Sequence, residues 1–311
     1  MNLFCTALFL FADLLVGTWN LRWFPSGRAE HRASAEQEAK TTEQAAETIR
    51  DGLARRAPDD SVILFLQELR SEAACSNLVA RIGATNGVSL ASISTFRNYD
   101  GRLGWQQVAI VSDLPVVERS WATWRRTKKE VQVPRFSYLP FLGTQTKSVP
   151  LQPPRGYAYA LLDAGGKDGL IACYCVHLKS NYGATTDEAK ADNRAKREAA
   201  AAQLAAVTKK IRSPDGRRVS RMIVAGDFNT DVSAADFAAE RTIPILAEAG
   251  SRNCFEGCPT EARGTRPGGK TFAASTLDYV FSRGFSAQAE PWLAPRGAVS
   301  DHRMVWTKLK E

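Results

Sequence analysis

Several residues of this 311-residue chain stand out by type and by what precedes them. Glu68 follows the apolar run VILFLQ, His177 follows IACYCV, and Asp227 follows MIVAG. Asp278 lies inside TLDYVF, His302 closes the sequence SDH ahead of RMVW, and Asn20 ends the run LLVGTW. A lone Asp after an apolar run is ordinarily a turn or helix cap. Carboxylates, an amide and imidazoles repeated at the ends of separate apolar runs instead suggest one polar pocket at strand ends, where α/β sheets bind ligands. Oxygen donors with few thiols favour a hard cation, Mg2+, Mn2+ or Ca2+, over zinc. Such a cation polarises a phosphoryl oxygen and offsets charge that builds up in the transition state. An imidazole oriented by a carboxylate can donate to the phosphate or relay a proton. Of the three histidines, His31, His177 and His302, the last two fall at such ends.

The elements that must position these residues follow from composition and periodicity. Leu14 to Arg22, Ser61 to Leu66, Val108 to Val111, Tyr157 to Leu162, Leu170 to Leu178, Met222 to Ala225, Leu277 to Ser282 and Arg303 to Leu309 read as strands. Ala35 to Arg56, Glu72 to Ile82 and Asp187 to Ile211 read as helices, the last from strong helix formers nearly throughout. Strands and helices alternate at both ends, which predicts a layered α/β architecture. No repeat or linker divides the chain, so a single domain over 13–311 is expected, with 1–12 as an extension. Ser120 to Pro154 is irregular; it carries Trp121, Trp124, Arg125, Arg126, Lys128, Lys129 and Arg135. That mixture suits a surface that holds phosphates and stacks bases, and equally an amphipathic hairpin with its cationic face in water.

The formal net charge is +8, with 41 Lys and Arg against 33 Asp and Glu. A positive field attracts polyanions but says nothing of fold. Six cysteines include Cys254 and Cys258, which could close a small loop, and Cys173 and Cys175, which alternate within an apolar run and read as core. No Cys/His spacing suggests structural zinc. The opening MNLFCTALFLFA resembles a secretory apolar region without its basic leader. A cleaved signal, a misplaced start and a buried strand all stay open, with export favoured over a cytoplasmic location. No later apolar run approaches the length of a spanning helix, so no stable membrane insertion is expected.

The ordered series GTWNLRWF, LFLQELRS, CVHLKSNYG, IVAGDFNTD, TLDYVF and SDHRMVW resembles the endonuclease/exonuclease/phosphatase superfamily typified by deoxyribonuclease I. The resemblance runs from Asn20 to His302. It implies a four-layered α/β sandwich of two packed mixed β-sheets flanked by helices, with the site at one edge. It implies that Glu68 binds the principal metal with Asn20 beside it, and that Asp301 contacts a metal or its waters. Asp227 would orient or deprotonate the attacking water, Asn229 would hold the phosphate, and Asp278 would pair with His302 facing the scissile group. His177 would be the second imidazole. Its usual acidic partner near WQQVAIV is not evident; Asp100, Gln106 and Gln107 are the candidates. Arg155 stands where family members place a phosphate-binding arginine, and Lys179, Ser180 and Asn181 would line the site.

Members of this superfamily act on nucleic acids, abasic sites, tyrosyl-DNA linkages, sphingomyelin and inositol phosphates, so substrate must be argued from the periphery. His177 occupies a position where abasic-site enzymes carry asparagine, which argues against that activity. The basic balance and the HLKSN sequence resemble bacterial nuclease-like members. The expectation is a monomeric, metal-dependent phosphodiesterase that cuts DNA or RNA. The alternative is a phosphatase or phospholipase C-type enzyme acting on inositol phosphates or lipids. A binding-only member would have lost a metal carboxylate or a histidine, and here Glu68, His177, Asp227, Asp278 and His302 are all present.

Overall fold

The computed structural model describes residues 13–27, 33–83, 86–98, 101–135, 145–165, 169–269 and 273–310. His31, Asp100, Cys5 and the apolar opening lie outside them. The first sheet contains β1 (Leu14–Phe24), β2 (Ser61–Leu69), β3 (Ser89–Ile93) and β4 (Gln107–Ser112). The second contains β5 (Val116–Thr123), while β6 (Glu130–Arg135) and β7 (Gln145–Pro150) pair only with each other. The second sheet continues with β8 (Gly156–Asp163), β9 (Leu170–His177), β10 (Arg221–Asp227), β11 (Arg252–Asn253) and β12 (Asp278–Arg283). Strands β13 (Ala287–Gln288), β14 (Trp292–Leu293) and β15 (Val305–Lys310) return to the first. The described α-helices are α1 (Ala35–Leu53), α2 (Glu72–Ile82), α3 (Asp187–Thr208) and α4 (Thr242–Glu248).

The first sheet runs β13-β15-β1-β2-β4-β3, with β14 also on β15; the second runs β11-β12-β10-β9-β8-β5. Both are mixed: β1 and β2 are parallel, as are β9 and β10, while their other partners are antiparallel. The two faces of β2 show how the layers form. Ile63 and Phe65 join the core shared with β8, β9, β10 and β12, whereas Val62, Leu64 and Leu66 face the core shared with α1 and α2. Strand β9 is buried along its whole length, which is why its sequence is a continuous apolar run rather than an alternating one. Leu204 of α3 and Leu246 of α4 cover the outer face of the second sheet. The result is the expected four-layered sandwich.

Side-chain caps start the long helices: Ser34, Ser71 and Thr186 accept from Gln37, Ala74 and Ala189 backbone N–H groups. Helix α1 stops at Leu53 rather than Arg56, five residues before Pro58, whose ring disfavours helical backbone at Ala57. Gly52 near its end lies over Trp306, where a Cβ would sit 2.2 Å from the indole. Helix and sheet therefore approach more closely here than any other residue type permits.

Within the described residues of the irregular stretch, β5 pairs with β8, and β6 pairs antiparallel with β7 apart from both sheets. Trp124 is a core residue, packed 5.3 Å from the Tyr157 ring, while Arg125, Arg126, Lys128 and Lys129 are exposed. Cys254 and Cys258 are free thiols, and Cys173 and Cys175 are buried between the sheets. No helix among the described residues is long and apolar enough to cross a membrane.

Candidate active site

The register of the second sheet places three of the singled-out residues side by side. Asp227, last in β10, is paired with His177, last in β9, and with Asp278, first in β12. Gly226 makes this possible. Its φ is +146°, and a Cβ there would lie 1.9 Å from the Val176 carbonyl oxygen, so β10 can approach β9 only with glycine before the aspartate. The first sheet contributes from the other side. Asn20 donates through Nδ2 to Glu68 Oε1 at 3.1 Å and to Asp227 Oδ2 at 2.9 Å, tying the sheets together at their shared edge. Its Oδ1 accepts from Arg22 N. Glu68 is held with φ +62° after a register shift in β2, and its Oε2 accepts from Trp23 N at 3.0 Å. For a non-glycine residue this left-handed backbone is uncommon, and it recurs here at Arg155 and Asn229.

His302 is fixed from three directions. Its Nδ1 faces Asp278 Oδ2 at 2.7 Å, its N–H donates to Ser300 Oγ, and its carbonyl accepts from Trp19 Nε1. Ser300 Oγ in turn donates to the Asn20 carbonyl at 2.6 Å, and Thr265 Oγ donates to Asp278 Oδ2 at 2.7 Å. Burial alone would hold the His302 imidazole neutral. The adjoining Asp278 carboxylate, helped by Asp227 and Asp301, outweighs it and raises the ring to about 10. His177 shows the opposite balance. Burial, then the positive charges of Arg155, His302 and Lys179, push it well below its usual value, so its ring is neutral at physiological pH. Burial and the Asp278 charge raise Asp227 to about 7, against the pull of His302, Asn20 and Asn229.

His177 Nε2 stands 3.7 Å from Glu68 Oε1 and 3.6 Å from Asp227 Oδ2, so its acidic neighbours come from β2 and β10 rather than β4. Gln107 is spent elsewhere: its amide bonds Ser94, Phe96 and Gly104. Gln106 accepts from Arg155 Nη1 at 2.6 Å. Arg155 also donates to the carbonyls of His177 and Leu178, which leaves two of its five N–H groups for other partners. Asn229 donates to Asp227 Oδ1 from its backbone and to the Leu178 carbonyl from its side chain. Asp301 is at the rim, 3.9 Å from Arg22 and 3.6 Å from Arg266.

The loop after His177 is built on a pair that sequence reading missed. Arg197 of α3 and Glu240 form a bidentate ion pair at 2.6 and 2.5 Å, with side chains 1% and 2% exposed. Arg197 Nη1 reaches the Lys179 carbonyl and Asn181 Oδ1, while Glu240 accepts from Thr230 and Thr242. Lys179 Nζ donates to the Ser180 carbonyl, and Ser180 Oγ accepts from Tyr182 N. Thr265 and Ser300, which position Asp278 and His302, were also unforeseen; only Ser300 had a signal, its place beside Asp301-His302.

The floor suits a hard cation. Ligand atoms of Asp227, Asp278 and His302 lie within 4.8 Å of one another, and Asp278 Oδ1 is buried without a hydrogen-bond partner among the described residues. A buried carboxylate oxygen is costly without a donor or cation. Asp227 is likewise raised, by burial first and then by the Asp278 charge. With His302 protonated, the oxygens of Glu68, Asp227, Asp278 and Asn20 are the donors left for a metal.

A search of curated protein sequences found no match. Solved structures of similar fold include an endonuclease/exonuclease/phosphatase family protein from Leptotrichia buccalis, with TM-score 0.58 and 15% identity, covering 96% of this chain and 100% of that one. The 3′ phosphatase NExo from Neisseria, bound to a product DNA hairpin, matches with TM-score 0.57 and 14% identity over 96% and 99% of the two chains. Sphingomyelinase C from Streptomyces griseocarneus matches with TM-score 0.51 and 18% identity over 95% and 99%. At these identities the likeness is one of fold. The sequence model of the Endonuclease/Exonuclease/phosphatase family matches residues 17–302, and the chain belongs to that family.

Proposed function

We propose that this protein hydrolyses phosphodiester bonds of nucleic acid, DNA in the first instance, by attack of water with a divalent cation, most simply Mg2+. The observation that carries the reading is the buried cluster Asp227, Asp278 and His302, whose ligand atoms lie within 4.8 Å of one another, with His302 Nδ1 2.7 Å from Asp278 Oδ2. Asp227, fixed by Asn20 Nδ2 and the Asn229 backbone N–H, takes the proton of the attacking water as general base. His302, protonated and oriented by Asp278, donates to a phosphoryl oxygen. Neutral His177 supplies a second, uncharged contact to the phosphate, with Asn229 beside it. Glu68 and Asn20 would hold the cation, with the unpartnered Asp278 Oδ1 and Asp301 as further candidate oxygen donors. The cation, when bound, polarises the phosphoryl oxygen and offsets developing charge. Arg155 fixes the carbonyls that follow His177 and presents its remaining N–H groups to the phosphate, while Lys179, Ser180 and Asn181 line the approach.

The test is incubation with supercoiled plasmid in Mg2+, repeated with EDTA and with Asp227→Ala. Nicking that disappears in both controls supports the reading. Folded protein that leaves plasmid intact but releases phosphate from inositol phosphates, or headgroup from lipid, would replace it.

A further inference from the structure

Resting on the phosphodiester reading, we infer that Arg125, Arg126, Lys128 and Lys129 form a cationic track, continued by Lys196 and Lys179, that holds the phosphates of a nucleic-acid strand leading into the site. The substrate is then a polymer gripped over several nucleotides to one side of the bond being cut, and short fragments bind weakly.

The track starts at the site. Thr123, last in β5, pairs with Gly156, and Trp124 N donates to the Arg155 carbonyl at 3.2 Å. The chain therefore passes the backbone of Arg155, whose guanidinium holds the His177 and Leu178 carbonyls, immediately before it reaches Arg125. From there it is mounted on α3. Gln203 accepts from Arg125 N at 2.7 Å and donates to the Arg125 carbonyl at 3.1 Å. The Leu151 backbone accepts from Thr127 N and donates to the Lys129 carbonyl, and its side chain packs with Ala195 and Ala199. The segment thus runs back along α3, from Gln203 toward the end that carries Lys196. Burial, then the charges of Arg155, Lys196 and Arg197, hold Lys179 below its ordinary value, so Lys196 lies within electrostatic reach of the loop after His177.

All four cations are exposed, while Trp124 beside them turns into the core. Arg126 Nε donates to Gln152 Oε1, a neutral partner, and Gln152 Nε2 donates to the Trp124 carbonyl, so one side chain braces both. Elsewhere on the molecule Arg50, Arg56, Arg70 and Arg241 each face a carboxylate. The one acid between Arg125 and Arg135 is Glu130, and it accepts from Ser148 Oγ. Four like charges within five residues repel one another, and backbone fixed by two glutamines preorganises them for an anion. The four residue steps span at most about 14 Å, roughly the rise of four stacked nucleotides.

The course of the charge favours a strand. One polymer can lie along the line and place one of its own phosphates in the floor, where His177, Asn229 and His302 stand. An anionic membrane would meet the same cations, with no reason for the line to end at that floor.

The experiment measures affinity by fluorescence anisotropy in EDTA, between 50 and 200 mM salt, for oligothymidylates of four and of fifteen nucleotides. Wild type is compared with a track variant carrying Arg125→Gln, Arg126→Gln, Lys128→Gln and Lys129→Gln. A charge-matched control carries Lys209→Gln, Lys210→Gln, Arg212→Gln and Arg218→Gln, exposed residues between α3 and β10 at the opposite end of β10 from Asp227. Each protein is first shown to melt as wild type does; if the track variant does not, Lys128→Gln with Lys129→Gln replaces it, at half the expected effect. In wild type the log–log salt slope should be steeper by about 2 to 3 for the longer strand, at about 0.7 for each phosphate that the four cations neutralise. The track variant should lose that difference and the control keep it. A wild-type slope that ignores length, a difference that survives in the track variant, or an equal loss in both variants overturns the track. Track-dependent sedimentation with phosphatidylserine vesicles, with strand slopes that ignore the track, overturns it in favour of an anionic membrane. A track-dependent slope in a protein that fails to nick plasmid in Mg2+ upholds the track and removes the hydrolytic reading instead.

Discussion

His177 and His302 are both buried, yet their surroundings push them in opposite directions. His302 has a carboxylate at 2.7 Å and two more within range, while His177 has Arg155, Lys179 and His302 itself acting against its charge. One ring is thus an imidazolium and the other neutral, so a phosphate between them meets one cationic and one neutral contact. Replacing His302 by Ala should lower turnover about a hundredfold or more, the usual scale for a positioned acid, while nucleic-acid affinity in EDTA changes far less. Near-normal turnover would remove His302 from the chemistry. The same shifts set the pH response of the metal-free protein. Asp227 is raised from 3.8 to about 7, so across that window the folded chain keeps a proton that the unfolded chain has lost. His302, raised from 6.5 to about 10, contributes fully below 6.5 and loses its contribution toward 10. Both terms make stability fall as pH rises. In EDTA, wild type should therefore lose stability relative to Asp227→Asn between about pH 4 and 7. A cation that takes the place of the Asp227 proton should raise the melting temperature more at the alkaline end. Stabilisation by Mg2+ that is equal at both ends would contradict this.

At the scale of elements, α3 does more than cover a sheet. Its buried residues Asn193, Arg197, Ala200, Ala201, Leu204 and Thr208 follow helical spacing, and Arg197 uses that inward face to fasten the loops after β9 and β10. Arg197→Met should cost about 3–5 kcal/mol in urea unfolding, because Glu240 would be left buried and unpaired. Adding Glu240→Gln should restore part of the loss; if the double variant is no more stable than the single, the pair is not the cause. This pair also marks where sequence reading stops. In a helix rich in Ala, Lys and Arg, one more arginine reads as a solvated face, and only the period through Leu204 betrays it. Helices α1 to α3 were legible from helix formers and spaced apolar positions, and the strands that carry Asn20, Glu68, His177 and Asp227 because burial on both faces leaves continuous apolar runs. Strand β5, VVERSWAT, was not, since an edge strand half in water carries charged residues that mask its alternation. Helix α4 is short and holds Pro244, tolerable only because it falls in the first turn. The carboxylates of Glu68 and Asp227, 3.7 and 3.6 Å from His177 Nε2, were missed for a related reason. They come from strands distant in sequence, across the seam between sheets, where no local spacing records them.

That seam governs the whole molecule. Asn20, Glu68 and His302 belong to the first sheet and its return, and His177, Asp227 and Asp278 to the second, so the site exists only where the two sheets meet at one edge. Around that edge stand Arg22, Lys179 and Arg266, on a chain whose formal charge is +8. A floor of carboxylates inside a positive rim is suited to a polyanion that meets the rim at several phosphates but enters the floor with one. Affinity gathered in this way is salt-dependent, since each neutralised phosphate releases counterions. A single strand held at about three phosphates should lose roughly fifteen- to twentyfold in affinity between 50 and 200 mM salt. Turnover of a small diester such as bis-p-nitrophenyl phosphate engages the floor alone and should change little over the same range. Arg22→Ala should flatten the salt slope for the strand by about one phosphate's worth while weakening its binding. Equal salt slopes for the strand and the small diester would mean that the rim takes no part in binding, and that the charge serves something other than the substrate.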